Sequence, residues 1–352
     1  MAKLKAIDFF CSIGGMTYGF KKAGINVIAG IDVDHSCKET YEHNNPGSKF
    51  IEADIKEYSF KELKTDTKIK RNDDDLVFIG CSPCQYWSII KTIKTKSNLS
   101  KNLLSDFQRF VAHFKPGFVV VENVPGIMKR AKESGINKFI SFLKKLGYVV
   151  KYDILNANHY GVPQNRRRFT LIASRVNLNV SLPKGNKNRK YIVKNFIGER
   201  NGFPKIEAGH IDNTKFKHSA AGLSDNNLKR IKLTKKNGGT RERWANNKKL
   251  QIDAYKGKDS SFKNVYGRMS WDKPAPTITT RFNSLSNGRF GHPEEDRALS
   301  LREGATLQTF PKLYNFKEKS MGKIARHIGN AVPPKFAKKI AKQIINHHLN
   351  VT

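Results

Sequence analysis

Short apolar runs that stop abruptly recur along the first half of this chain, and they constrain its fold more than any other feature. Residues 4–10, 27–31, 49–54, 76–79, 118–121, 148–155 and 169–173 read as strands. The stretches 16–22, 35–43, 102–114 and 136–146 between them read as helices. A run such as Phe118-Val119-Val120-Val121, apolar on both faces, suits a parallel sheet covered on both sides. The alternation predicts an open α/β fold, in which ligands bind beyond the carboxyl ends of the strands.

The residues that end each run are therefore where chemistry is expected. After the first strand, Cys11-Ser12-Ile13-Gly14-Gly15 makes a small-residue turn that lets backbone N–H groups approach a ligand. The second strand ends on Asp32, about twenty residues further, where a ribose-binding carboxylate belongs. The third ends on Asp54, and two such carboxylates after a glycine turn suggest a nucleoside pocket. The fourth stops at Gly80 and presents Cys81-Ser82-Pro83-Cys84-Gln85. Pro83 fixes a backbone torsion just before Cys84, and a polar, aromatic-bearing loop follows, so Cys84 is the candidate nucleophile. Glu122 ends the fifth strand, where a buried carboxylate is costly without a task or a partner. In Gln164-Asn165-Arg166-Arg167-Arg168, strand alternation puts Arg166 and Arg168 on one side, as a two-guanidinium clamp.

Charge narrows the partners. Among 352 residues, 65 Lys and Arg stand against 30 Asp and Glu, a net charge of +35, which predicts salt-dependent attraction to nucleic acid or an anionic membrane. No apolar run reaches the roughly eighteen residues of a membrane span and no signal sequence opens the chain, so a soluble cytoplasmic protein without membrane contact is expected. Cysteines at 11, 37, 81 and 84 are too few for a disulfide framework. Cys81-x-x-Cys84 has no second ligand pair to complete a zinc site, so no metal is expected. The basic run 91–101 suits closure over a polyanion. From about 182 to 266 the chain turns polar and aperiodic, and Gly238-Gly239-Thr240-Arg241-Glu242-Arg243-Trp244 offers Arg241 and Arg243 for reading bases. A final helix, 335–347, is expected to pack back on the first domain.

The ordered motifs Asp8-Phe9-Phe10…Gly14-Gly15, Pro83-Cys84-Gln85, Glu122-Asn123-Val124, Gln164-x-Arg166-x-Arg168, Arg302-Glu303…Leu307-Gln308…Phe310-Pro311 and Gly329-Asn330-Ala331-Val332 resemble those of the DNA (cytosine-5)-methyltransferases of bacterial restriction–modification systems. The resemblance covers nearly the whole chain apart from 182–266. It implies a Rossmann-like, S-adenosylmethionine-dependent domain at 1–181, a smaller, irregular or β-rich target-recognition domain at 182–315, and a segment 316–352 that returns to the first domain. Carried over by position, Phe10, Ser12, Ile13, Gly14, Gly15, Asp32, Val33, Asp54, Ile55, Pro83, Asn330 and Val332 would form the cofactor site. Asp32 would meet the ribose and Asp54 the adenine amine. Ser12 stands where the family usually has Gly, and Val33 where a larger side chain often stacks on adenine. Gln85, Ser88 and Lys91 join Arg241 and Arg243 as DNA contacts.

The implied chemistry explains the residues. Carbon 5 of cytosine is a poor nucleophile until a thiolate adds to carbon 6, the role of Cys84. Glu122 would hold a proton against ring nitrogen 3, a protonation that burial favours, while Arg166 orients the base and Arg168 supports it. A stacked base cannot reach the thiol, so the target is expected to flip out of double-stranded DNA. The expected enzyme is a monomer that protects host DNA, with a cognate endonuclease cutting the same site. An RNA cytosine methyltransferase, a silent DNA-binding protein and a nicotinamide-dependent dehydrogenase are the competing readings. The dehydrogenase leaves Pro-Cys-Gln and the charge unexplained.

Overall fold

In a computed structural model, which describes residues 4–82, 103–256 and 264–350, the predicted alternation forms. In chain order the elements are β1 (Lys5–Phe9), α1 (Gly15–Lys21), β2 (Asn26–Asp32), α2 (Lys38–Asn44), β3 (Lys49–Glu52), α3 (Phe60–Thr67), β4 (Leu76–Gly80), α4 (Leu103–Phe114), β5 (Phe118–Asn123), α5 (Ile136–Lys145), β6 (Val149–Asn156) and β7 (Arg167–Ser174). The strands form one sheet in the order β3-β2-β1-β4-β5-β7-β6. The first five run parallel, and β7 is antiparallel to both β5 and β6. Strand order reverses between β1 and β4, so a crevice opens beyond their carboxyl ends. The turn after β1 and the Cys81-Ser82 stretch after β4 both stand at that point.

Side-chain alternation decides what each face buries. Ile7 and Phe9 of β1 join Phe78, Val119 and Val121 in one core with Phe107 and Phe110 of α4. The Phe9 ring meets Phe78 at 5.1 Å and Phe107 at 5.2 Å, both edge to face. On the other side of the sheet the last helix, Pro334–Leu349, packs against α1 as expected. Gly19 permits this: a Cβ there would lie 2.5 Å from the Ala337 Cβ and 2.6 Å from the Pro334 carbonyl oxygen.

The chain divides into two compact units, but not at the expected boundaries. One holds residues 1–156, 167–185 and 332–352, the other 157–166 and 186–331. Residues 316–331 therefore belong to the second unit, and the return to the first begins at Val332. The reason is packing: Phe316 meets Phe310 at 5.9 Å and Tyr314 at 5.6 Å inside the second unit. Its helices include α6 (Asp225–Leu233), α7 (Leu301–Leu307) and α8 (Met321–Asn330). Among the described residues it has isolated bridges and no strand, so it is irregular and not β-rich. Without a sheet, its loop carbonyls need other donors. Fully buried arginines supply them: Arg268 donates to the carbonyls of Ile231, Thr234, His292 and Glu295, and Arg302 to those of Lys215, Phe216, Pro311 and Tyr314.

Candidate active site

At the carboxyl edge of β5, Glu122 is 6% exposed, and its Oε1 lies 3.2 Å from Arg168 Nε. Antiparallel pairing brings them together. With Glu122 opposite Thr170, the start of β7 falls where β5 ends. The next residue, Asn123, sends its Nδ2 to both the carbonyl oxygen (3.1 Å) and the Oγ (3.2 Å) of Ser82, and its own Oδ1 accepts from the Val124 N–H. Asn123 thereby ties the end of β5 to the exit of β4. Pro83 and Cys84 themselves, with Gln85, Ser88, Lys91 and the rest of the 91–101 run, lie outside the described residues.

Arg166 has a different position from the expected clamp. It precedes β7, is 2% exposed, and belongs to the second unit. Its guanidinium donates to the carbonyls of Ile278 (3.0 Å), Gly329 (3.1 Å) and Ala331 (3.1 Å). The alternation rule fails here because the chain is not yet a strand at 166. Among the described residues, Arg168 is the arginine that pairs with Glu122. Burial, then the carboxylates of Glu122 and Asp8, push the thiol of the nearby Cys81 well above the ordinary range.

The turn after β1 is held in an unusual shape. Phe10 (φ 64°), Ser12 (φ 47°) and Gly14 (φ 84°) are all left-handed. At Gly14 a Cβ would lie 2.5 Å from Asn45 Nδ2 and 2.9 Å from the Tyr41 ring, so only glycine fits. Asp32 fastens the turn from β2: Oδ2 accepts the Ser12 N–H at 2.8 Å and Oδ1 the Asp34 N–H at 2.9 Å. Burial raises the Asp32 carboxyl, against the N–H donors of Asp34 and Ser12. Ile13 is buried and Gly15 opens α1, while Val33 is 68% exposed beside Asp32, an apolar surface at the strand end. Asp54 is exposed beyond β3 and Ile55 is buried. Asn330 ends α8 in the second unit, exposed, and Val332 is buried in the first.

A family model described as C-5 cytosine-specific DNA methylase matches residues 4–346. The chain belongs to this family. The methylase is 39% identical over 343 residues to a type II methylase, M.HgiDII, of Herpetosiphon aurantiacus, covering 96% of this chain and 94% of the relative. It is 29% identical over 349 residues to the type II methyltransferase M1.HphI of Haemophilus parahaemolyticus, with 99% and 88% covered. Among solved structures, it matches a DNA modification methyltransferase encoded within a prophage (E. coli) with a TM-score of 0.75 at 22% identity, over 99% of this chain and all of the other. A Spodoptera frugiperda DNMT2 variant matches with a TM-score of 0.65 at 17% identity, over 97% of this chain and all of the other. These two likenesses concern the fold.

In the methylase's second unit, one of the two arginines read as base contacts turns inward. Arg241 is 5% exposed and its guanidinium lies 4.8 Å over the Tyr255 ring. Trp244, in the same stretch, is core: it is 1% exposed and packs with Ile231, Leu250 and Tyr266. Arg243 remains exposed on the one-turn helix Glu242–Ala245. Sequence reasoning missed Asn123 as the residue that clamps the Cys81-Ser82 exit. Its place directly after Glu122, at the end of a buried strand, was the available signal.

Proposed function

We propose that the protein is the modification enzyme of a type II restriction–modification system, methylating carbon 5 of a flipped-out cytosine in a short DNA sequence through a covalent Cys84 adduct. The Arg168–Glu122 pair is the observation that carries this reading. It puts a carboxyl and a guanidinium side by side at the sheet edge where Asn123 fixes the residues leading into Cys84. The type II methylases of Herpetosiphon aurantiacus and Haemophilus parahaemolyticus support the restriction–modification role.

S-adenosylmethionine, when bound, supplies an electrophilic methyl group. The first unit fits such a group. The left-handed turn 10–14 keeps backbone N–H groups at the switch point, Asp32 ends β2 where a ribose would meet it, and Asp54 follows β3 where an adenine amine would. On this reading Cys84 adds to carbon 6 as thiolate, which makes carbon 5 enamine-like. Glu122 holds the proton at ring nitrogen 3, and Arg168, not Arg166, orients the base and balances the charge that moves onto it. Removal of the carbon 5 proton then expels Cys84. Arg166 instead holds the backbone of the second unit together, through the carbonyls it already serves. Base readout falls to the second unit, with Arg243 as a candidate contact. The enzyme acts as a cytoplasmic monomer on double-stranded DNA, beside a cognate endonuclease.

Bisulfite sequencing of plasmid DNA from cells expressing the protein, next to a Cys84→Ala control, tests the proposal. Protected cytosines at one short recurring sequence, absent in the control, are expected. A soluble, DNA-binding protein that protects no cytosine would overturn it.

A further inference from the structure

Arg109, on α4, reaches across the first unit to the turn that follows β3. Its Nη2 donates to the carbonyl oxygens of Ile55, Lys56 (3.0 Å) and Tyr58 (2.7 Å), a run of neighbouring carbonyls gathered on one guanidinium nitrogen. The cation is held in place by rings on both sides of the junction: its guanidinium carbon lies 4.6 Å from the Phe110 centroid and 5.4 Å from that of Phe60, the first residue of α3. The turn is fastened at its far end by the Tyr58 hydroxyl, which donates to Asp66 at 2.7 Å, while Lys49 Nζ pairs with the same carboxylate. Within the turn, Asp54 accepts the Lys56 N–H on Oδ1, and its carbonyl accepts the N–H groups of Glu57 and Tyr58.

The Ile55, Lys56 and Tyr58 carbonyls need a donor where they converge, and a half-buried Arg on a packed helix is a stiff one. Asp106, one helical turn before Arg109, lies in the same electrostatic neighbourhood. Burial pushes its carboxyl up, the Lys56 and Arg109 cations oppose this, and the Asp54 carboxylate adds to it. α4 therefore carries both a donor for the backbone of the turn and a charge that Asp54 feels.

We infer that Arg109 is a positioning residue for the cofactor's adenosine end, fixing the backbone from which Asp54 and Ile55 meet it. The inference rests on the reading of these residues as the S-adenosylmethionine site. Arg109 touches no ligand; it acts through the shape of the 54–58 turn. Its effect should fall equally on every ligand that shares the adenosine, and not on DNA.

The test is calorimetric titration of the full-length protein with S-adenosylmethionine and with S-adenosylhomocysteine, for the wild type, Arg109→Met and Arg109→Lys. Arg109→Met keeps an apolar stem against Phe60 and Phe110, so the fold should hold. It is expected to weaken both ligands by about tenfold or more and by the same factor. KM for the methyl donor should rise with it, kcat should change by less than about threefold, and the Kd for a DNA duplex should stay constant. Arg109→Lys, which keeps charge without the planar fork, should fall between the two. Unchanged affinity for both ligands in Arg109→Met overturns the inference, as does a loss confined to S-adenosylmethionine or one shared by DNA. If the wild type binds neither ligand, the cofactor reading fails and takes the inference with it.

Discussion

Glu122 and Arg168 meet at 3.2 Å only because β7 runs antiparallel to β5, which brings the beginning of one strand to the end of the other. In an all-parallel sheet the first residues of the last strand would lie at the opposite edge. The reversal puts a cation beside the carboxylate at the end of β5. Arg166, two residues earlier, has left the strand and is spent on the carbonyls of Ile278, Gly329 and Ala331.

The two arginines should therefore separate in kinetics and stability. Arg168→Gln is expected to lower kcat by roughly two to three orders of magnitude, the usual cost of losing one preorganised charge-stabilising donor, with little change in melting temperature. Arg166→Gln is expected to cost about 3 kcal/mol or more of stability, because buried carbonyls lose their donors, while kcat at a temperature where the variant is folded stays within about tenfold. Thermal melts beside methyl-transfer rates decide it, and the reverse pattern would return Arg166 to the site.

Asp8 gives a stability profile whose sign can be worked out. Burial pushes its carboxyl up to about 7, the Thr17 hydroxyl and N–H hydrogen bonds oppose this, and Asp32 adds to it. The folded value lies above the unfolded one of about 3.9, so the group favours folding most below about pH 4, and that benefit is lost as pH rises to about 7. Asp8→Asn should flatten the fall in urea midpoint across this window, and an unchanged slope in the variant would count against it.

Glu303 works in the opposite direction. Burial raises its carboxyl, but Arg297, which donates to Oε2 at 2.7 Å and Oε1 at 2.8 Å, together with His292 and His218, brings it down to about 2. A depressed carboxyl contributes stability that is present above about pH 4.3 and lost as pH falls toward 2. Glu303→Gln, which leaves Arg297 buried with half its pairing, is expected to cost about 3–5 kcal/mol at pH 7 and to remove this acid-side loss in denaturation curves.

Ser12→Gly tests the turn. Ser12 sits at φ 47°, a conformation that costs a side chain about 1 kcal/mol and glycine almost nothing. The replacement keeps the N–H that Asp32 accepts, so it should be neutral or stabilising by up to about 1 kcal/mol, with cofactor affinity kept or raised. A weaker cofactor complex would show that the Ser12 hydroxyl, 3.8 Å from Cys37 Sγ, contributes to the site.

The sheet and the residues at its edge were legible from the chain alone, because apolar runs and their terminators are local features. β1, β2, β4 and β5 fall where the runs do, and Asp32, Glu122 and the glycine turn stand at strand ends as expected. The second unit was not legible, since its core is built from arginines donating to loop carbonyls and from Trp244, none of which carries a period. Arg241 shows the difficulty: in sequence it is a polar residue in a glycine-rich loop, and in the fold it is buried against Tyr255.

What the sequence by itself determined is therefore the strand–helix alternation, the identity of the edge residues and the family, each set by neighbours within a few positions. The tertiary structure alone decided which arginine faces Glu122, which carbonyls Arg109 gathers and where the chain returns to the first unit. Those outcomes depend on strand direction and on contacts between segments 46 to 165 residues apart, which no local pattern encodes.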